Sequence, residues 1–196
     1  MTCTTRPAGG AFSDIIDNQF HPETVIYGHF LRSDSEDAVV GGRSAETHPA
    51  RWGGTLLLTK RNAQWVPLWY KSALIVHSCV TMPTPSGREI LLCEDEDGGM
   101  GRQLHYLYAI DLKEPADLRH SLLTSAESYN DGCTTQNQTL GPVRWISGKT
   151  RFSVTVRTIQ WDRFTEGACA GNSGMRPATA VHFEFAATAN GIQQSR

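Results

Sequence analysis

Apolar and polar residues alternate along much of this chain, and this period of two constrains the fold more than any other feature. In RFSVTVRTI (151–159), Phe152, Val154 and Val156 alternate with arginine, serine and threonine, and AVHFEF (180–185) repeats the pattern. Successive side chains of a strand point to opposite faces, so the pattern predicts half-buried β-strands. Between clusters of Gly, Pro, Asn and Asp, further strands are predicted at 24–31, 37–41, 54–60, 64–70, 74–82, 88–94, 104–112, 119–125 and 141–147.

The predicted strands fall into three similar groups, at 24–72, 74–126 and 139–190. A group of about 50 residues with four short antiparallel strands has the size of a propeller blade. We therefore predict an all-β fold, with one domain at 24–196 made of antiparallel four-stranded repeat units in a propeller-like arrangement. A β-sandwich is the alternative. Residues 1–23 are predicted as a tether with a short helix at 12–19, and 114–122 is a second short helical candidate.

Charge and hydropathy exclude several classes of partner. The chain has 20 acidic and 18 basic residues mixed along its length, a net charge of -2, which offers no electrostatic footprint for nucleic acid. Apolar runs such as TLLL (55–58) are far shorter than the roughly 20 residues of a membrane span. The opening MTCTTRPAGGAFSD has no apolar stretch typical of a signal peptide.

Five cysteines suggest a disulfide-bonded protein. Cys79 and Cys93 flank the turn TMPTPSGRE at the ends of two predicted strands, where an antiparallel pairing would place them side by side. Cys133 and Cys169 lie in Gly/Asn/Ser-rich loops and form the natural second pair. Cys3 is left over and is a candidate lipid anchor. Disulfides favour an extracytoplasmic location, periplasmic or secreted; five reduced thiols in a cytosolic protein are the alternative.

The stretch YGHFLRSDSEDAVVGG (27–42) carries a recognisable motif. Gly28, Phe30, Asp37 and the strand Ala38–Val40 resemble an FG-GAP or VCBS-type β-propeller repeat, which has a Gly-Asp-Phe turn, an Asp/Gly-rich loop and an Asp before an apolar strand. A weaker resemblance to the same motif is present in SGREILLCEDEDGGMG and SGKTRFSVTVRTI. The resemblance implies a secreted or periplasmic repeat module with a binding or structural role.

In that family the loop carboxylates bind calcium, and this chain departs from the ligand pattern. His29, Leu31 and Ser33 stand at ligand positions, and Asp37 alone keeps its carboxylate. Calcium takes six to eight oxygen ligands, so we do not expect this loop to bind it.

The densest acidic run is Glu94 to Asp97, followed by Gly98 and Gly99. Asp95 and Asp97 alternate along a predicted strand and are the candidate ligands for a divalent cation such as Ca²⁺. A solvated acidic loop without any cofactor is the alternative interpretation of the same run.

A cluster of aromatic residues lies in the first repeat unit. Trp52, Trp69 and Tyr70, with Trp65 between them, would stack on a sugar or a peptide if they were exposed together. The alternative is that they belong to the core.

The segment CAGNSGMRP (169–177) resembles the loop around the nucleophile of a trypsin-like protease. His77, Asp111 and Ser173 occur in the chain order of general base, orienting carboxylate and nucleophile. Asn172 and Met175 depart from the protease pattern. A serine hydrolase is therefore the alternative function. The leading prediction is a non-catalytic extracytoplasmic module, monomeric or oligomeric, that binds a protein, a peptide or a glycan.

Overall fold

The computed structural model describes residues 20–43, 53–72, 74, 76–99, 102–113, 119–130, 134–162, 174–189 and 191–195. The regular elements in these residues are β-strands, and the registered pairs are antiparallel, which confirms the all-β prediction. The strands are β1 (His21–Gly28), β2 (Asp37–Arg43), β3 (Gly54–Arg61), β4 (Gln64–Ser72), β5 (Cys79–Pro83), β6 (Glu89–Gly99), β7 (Arg102–Ile110), β8 (Arg119–Asn130), β9 (Thr134–Leu140), β10 (Arg144–Ser147), β11 (Arg151–Asp162), β12 (Gly174–Met175), β13 (Thr179–Thr188) and β14 (Gly191–Gln194).

The first sheet has four strands in the order β1-β2-β3-β4, so each strand pairs with the next along the chain. These strands extend from His21 to Ser72. The β3-β4 hairpin turns at Asn62 and Ala63, whose φ angles are 50° and 63°. Two central residues with positive φ characterise the turns whose twist matches that of the flanking strands.

One face of this sheet contributes to a core. Val39 and Leu57 are opposite each other on β2 and β3 and are both fully buried. A Cβ on Gly41 would come within 2.5 Å of the Val76 carbonyl oxygen, and the Thr55 hydroxyl donates to the Leu74 carbonyl at 2.5 Å. The chain after β4 therefore lies against this face, and a side chain at position 41 would block it.

The second sheet has ten strands. Its path is β14-β13-β11-β9-β8-β7-β6-β5, with β10 and β12 both paired to β11. The strand groups predicted at 74–126 and 139–190 thus share one sheet, whereas separate four-stranded units were expected. The reason is that β8 extends to Asn130, beyond the predicted strand end, and its last residues pair with β9, for example Glu127 with Asn137.

The chain divides into two compact units, neither of which is one continuous segment. The first comprises Met1–Thr81, Ser86–Cys93 and Ile110–Leu118, and the second comprises Met82–Pro85, Glu94–Ala109 and Arg119–Arg196. In the second, Phe152 and Phe185 are buried and stacked, with ring centroids 5.1 Å apart.

The predicted helices have different outcomes. Residues 119–122, the end of the helical candidate 114–122, belong to β8. They follow the alternative strand prediction at 119–125. The rest of that candidate, the helix at 12–19 and most of the predicted tether lie outside the described residues. Among the described residues, no helix has the length and the hydropathy required to span a membrane.

Candidate binding site

The face of the first sheet opposite the Val39–Leu57 face carries exposed apolar side chains. Val25 pairs with Val40 and Tyr27 pairs with Ala38. Directly opposed residues of an antiparallel pair project to the same face. Val40 and Ala38 are buried, whereas Tyr27 is 66% exposed and Val25 is 48% exposed. The β1 side chains are therefore accessible beside a buried apolar centre.

A β-bulge decides which aromatic side chains of β4 join this face. Leu57 pairs with Trp69 and Leu58 pairs with Pro67, so that Leu68 is an extra residue on β4. One extra residue reverses the alternation of side chains on the strand beyond it. Trp65 thereby shares a face with Tyr70, although an uninterrupted strand would place residues 65 and 70 on opposite faces.

Tyr27 and Trp65 meet above this face. Their ring centroids are 5.8 Å apart with an interplanar angle of 44°, and Trp65 is 41% exposed. They come from the two edge strands of the sheet, and Ala38, buried between them, leaves room for the rings to approach each other. Both rings keep contact with solvent while they touch.

An ion pair lies next to the rings. Lys60 is directly opposite Trp65 in the β3-β4 pair, and its Nζ lies 2.5 Å from Oε2 of Glu36. The Lys60 backbone N–H also donates to the Glu36 carbonyl at 2.8 Å, which fixes the two residues side by side. We refer to Tyr27, Trp65, Glu36 and Lys60 as the aromatic platform. It combines two exposed rings with a hydrogen-bond acceptor and a hydrogen-bond donor.

The aromatic residues predicted from the sequence do not form one cluster on a single face of the sheet. Trp69 and Tyr70 are half-buried and point to opposite faces, since Trp69 pairs with Leu57 and Tyr70 with Leu56. They cannot hold one ligand jointly. Tyr70 instead packs edge-on against Phe20, at 5.8 Å and 90°. Trp52 lies outside the described residues.

Tyr27, Glu36 and Lys60 were missed by the sequence interpretation. Tyr27 and Trp65 are far apart in the sequence, and the pairing of the strands in the sheet brings them together. A signal existed in TVIYG, where apolar residues occupy both phases of the strand, which places apolar side chains on both of its faces.

The loop that resembles the FG-GAP motif is closed by its own hydrogen bonds. Asp37 is 1% exposed, and its Oδ2 accepts from the Leu31 N–H at 2.9 Å and from the Ser35 hydroxyl at 2.5 Å. His29 donates its backbone N–H to Oε2 of Glu89 at 2.9 Å, and its Nδ1 contacts the Ser35 carbonyl oxygen. The one buried carboxylate of the loop thus binds donors of the loop itself.

This arrangement does not fit a calcium ion. Oδ1 of Asp37 is buried without a hydrogen-bond partner, and the Asp34 carboxylate instead faces the Arg32 guanidinium in an exposed pair at 3.1 Å. Six to eight oxygen ligands are not available here. Elsewhere, Asp95 is half-buried on β6, and the side chain of Asp97 lies outside the described residues. In the described part of the chain, no three His, Cys, Asp or Glu residues are grouped to hold a metal ion.

Asp111, the predicted orienting carboxylate of a triad, is engaged by an arginine. Its two oxygens accept from Arg88 at 3.0 and 3.1 Å, and Oδ1 also accepts from the Lys113 N–H at 3.0 Å. Arg88 additionally donates to the Phe30 carbonyl at 3.0 Å. Burial raises the pKa of Asp111, but the hydrogen bonds and charge of Arg88, with the Lys113 N–H, hold it below its ordinary value.

Of the two remaining members of the predicted triad, His77 lies within the described residues. His77 is exposed just before β5, and Ser173 lies outside the described residues. The serine hydrolase therefore stays a prediction without geometric support. The bidentate pair with Arg88 gives Asp111 a structural partner.

The disulfide prediction is confirmed for its first pair. Cys79, on β5, and Cys93, on β6, are bonded, with Cα atoms 4.1 Å apart. Cys93 is fully buried. Cys133, Cys169 and Cys3 lie outside the described residues, so the second pair and the lipid anchor remain predictions.

Comparison of the chain with protein-family models, with curated proteins and with solved structures gave no match.

Proposed function

We propose that this protein is a non-catalytic extracytoplasmic binding module that holds its ligand on the aromatic platform. The observation that carries the proposal is the exposed contact between Tyr27 and Trp65 at 5.8 Å, above a face whose central residues are buried. Large rigid rings provide contact area at a small cost in conformational entropy, which is why they are enriched in binding surfaces.

The architecture supports this proposal. Tyr27, Lys60 and Trp65 of the platform lie on hydrogen-bonded strands and Glu36 directly precedes β2, and a site on regular elements is held more rigidly than one on loops. We further propose that the β1-β4 sheet is a propeller-type repeat unit, because its consecutive antiparallel order is that of a blade. The Cys79–Cys93 disulfide is compatible with the extracytoplasmic location.

The test is a selection that presumes no ligand class. The purified full chain is offered to a random phage-displayed peptide library and to a printed glycan array. Tyr27→Ala and Trp65→Ala are compared with Val181→Ala, which removes an exposed apolar side chain from β13. We expect specific binders that both platform variants lose and the control retains.

Two outcomes would contradict the proposal. One is a set of binders that Tyr27→Ala and Trp65→Ala retain in full. The other is labelling of the wild type by a fluorophosphonate probe that disappears in Ser173→Ala, which would show an activated serine and support the hydrolase instead.

A further inference from the structure

We infer that the aromatic platform takes a neutral glycan, one sugar ring resting on Trp65 and Tyr27 and its hydroxyl groups bonded by Glu36 and Lys60. This inference rests on the proposed function and adds the chemical class of the ligand. It depends on three features of the platform: the disposition of its rings, its polar groups and its net charge.

The rings are arranged to receive a flat apolar surface. At 44° they are neither stacked on each other nor edge-on, and both remain exposed, so part of each ring face is open to a ligand. An aromatic face carries negative charge density, which attracts the slightly positive C–H groups of another molecule. A pyranose presents such C–H groups on one face of its ring.

The polar groups beside Trp65 can form hydrogen bonds with the hydroxyl groups of a sugar. Hydroxyl groups both donate and accept hydrogen bonds, whereas a carboxylate only accepts and an ammonium group only donates. Glu36 and Lys60 provide one of each, on side chains that are 61% and 36% exposed. A sugar hydroxyl can therefore donate to one group and accept from the other without leaving either charge unpaired.

The charge of the platform selects among glycans. Lys60 and Glu36 neutralise each other at 2.5 Å, and the nearby loop carries a second neutral pair, Arg32 with Asp34. An anionic ligand such as a sialylated or sulfated glycan would gain from Lys60 only what it loses to Glu36. A neutral glycan incurs no such repulsion.

The extent of the apolar surface argues against a folded protein as the occupant. Among the described residues of this face, the large apolar side chains with substantial exposure are Val25, Tyr27 and Trp65. A stable protein interface uses roughly 20–30 residues on each side. Three side chains and an ion pair match one or two sugar residues far better.

The experiment measures binding of the full chain to immobilised neutral oligosaccharides built from glucose, galactose or mannose, beside their sialylated and sulfated counterparts. We expect saturable binding to a neutral glycan and a loss of affinity of roughly tenfold or more in Trp65→Ala and in Tyr27→Ala, as for removal of an aromatic contact. Trp65→Phe keeps a ring and should retain part of the affinity. Lys60→Met and Glu36→Gln should each weaken binding, and Val181→Ala should not.

The outcomes that contradict the glycan inference also show whether the proposed function fails with it. Preferential binding of anionic glycans refutes the neutral class. Peptide binders that depend on Tyr27 and Trp65, without any glycan, refute the inference but leave the proposed function standing. If neither peptides nor glycans bind in a manner that depends on these rings, both are wrong. Circular dichroism of every variant shows that a loss of binding is not a loss of fold.

Discussion

At the scale of single residues, Asp37 organises the loop before β2 through one of its two oxygens. Asp37→Ala removes the acceptor of the Leu31 N–H and the Ser35 hydroxyl, so we expect a loss of about 2 kcal/mol in the free energy of unfolding. Asp37→Asn keeps one acceptor oxygen and replaces the unpaired Oδ1, so its loss should be smaller. Urea denaturation measures both; equal losses would contradict this account.

The pair of Arg88 with Asp111 is the strongest candidate for a stabilising charge interaction in the described residues. Its side chains are 12% and 16% exposed. Arg88→Met leaves a largely buried carboxylate without its charged partner, with the Lys113 N–H as its remaining donor. We expect a loss of roughly 3 kcal/mol at neutral pH, the lower end for a buried pair. Arg32→Met is the matched control, since its pair with Asp34 is 74% and 77% exposed. The control should change stability by less than about 0.5 kcal/mol.

The same pair predicts a dependence on pH with a definite sign. Because the pKa of Asp111 lies lower in the folded chain than its ordinary value of 3.8, its contribution is present above that value and is lost as the pH falls through the folded pKa. The stability difference between wild type and Arg88→Met should therefore shrink in acid. The difference should not vanish, because the hydrogen bond from Arg88 to the Phe30 carbonyl does not depend on pH in this range. Denaturation curves from neutral pH downward measure this, and a constant difference would refute it.

At the scale of elements, the disulfide links β5 to β6 across a sequence separation of 14. Closing a loop of this length lowers the entropy of the unfolded chain, which stabilises the folded state by about 3 kcal/mol. We expect the double variant Cys79→Ser, Cys93→Ser to lose stability of that order in non-reducing urea denaturation. Under reducing conditions wild type and variant should converge. If the reductant does not change the stability of the wild type, the prediction is wrong.

The crossing of the chain over the first sheet depends on Gly41. A Cβ there would lie 2.5 Å from the Val76 carbonyl oxygen, which is a backbone atom and cannot rotate away. We expect Gly41→Ala to cost about 2 kcal/mol by overpacking. Thermal denaturation followed by circular dichroism tests this; a midpoint equal to that of the wild type would show that the crossing is looser than described.

At the scale of the whole molecule, the four-stranded sheet is a complete meander but not a complete folding unit. The first compact unit also includes Ser86–Cys93 and Ile110–Leu118. A fragment of residues 20–72 would keep β1 to β4 but expose Val39 and Leu57, which are fully buried in the chain. We expect this fragment to lack a stable fold, as judged by near-ultraviolet circular dichroism. A cooperative unfolding transition in the fragment would overturn this.

Part of this structure could be predicted from the sequence. The alternation of apolar and polar residues around Phe152 and Val154 predicted the strand β11. It also predicted that these two side chains lie on the buried face, and both are buried. The positions of Cys79 and Cys93 at the ends of neighbouring strands predicted their bond. The proposed platform was not predicted from the sequence, because Trp69 and Tyr70 were grouped by their closeness in sequence, whereas adjacent residues of a strand face opposite ways.

The sequence by itself determined the class of the fold, since alternation of apolar and polar residues is a local property that every strand carries within itself. Only the tertiary structure decided the aromatic platform, for two physical reasons. The contact between Tyr27 and Trp65 joins the two edge strands of a sheet, and that contact depends on strand order. The bulge at Leu68 turns Trp65 to the exposed face, and such a bulge depends on the register between β3 and β4, which no single strand specifies.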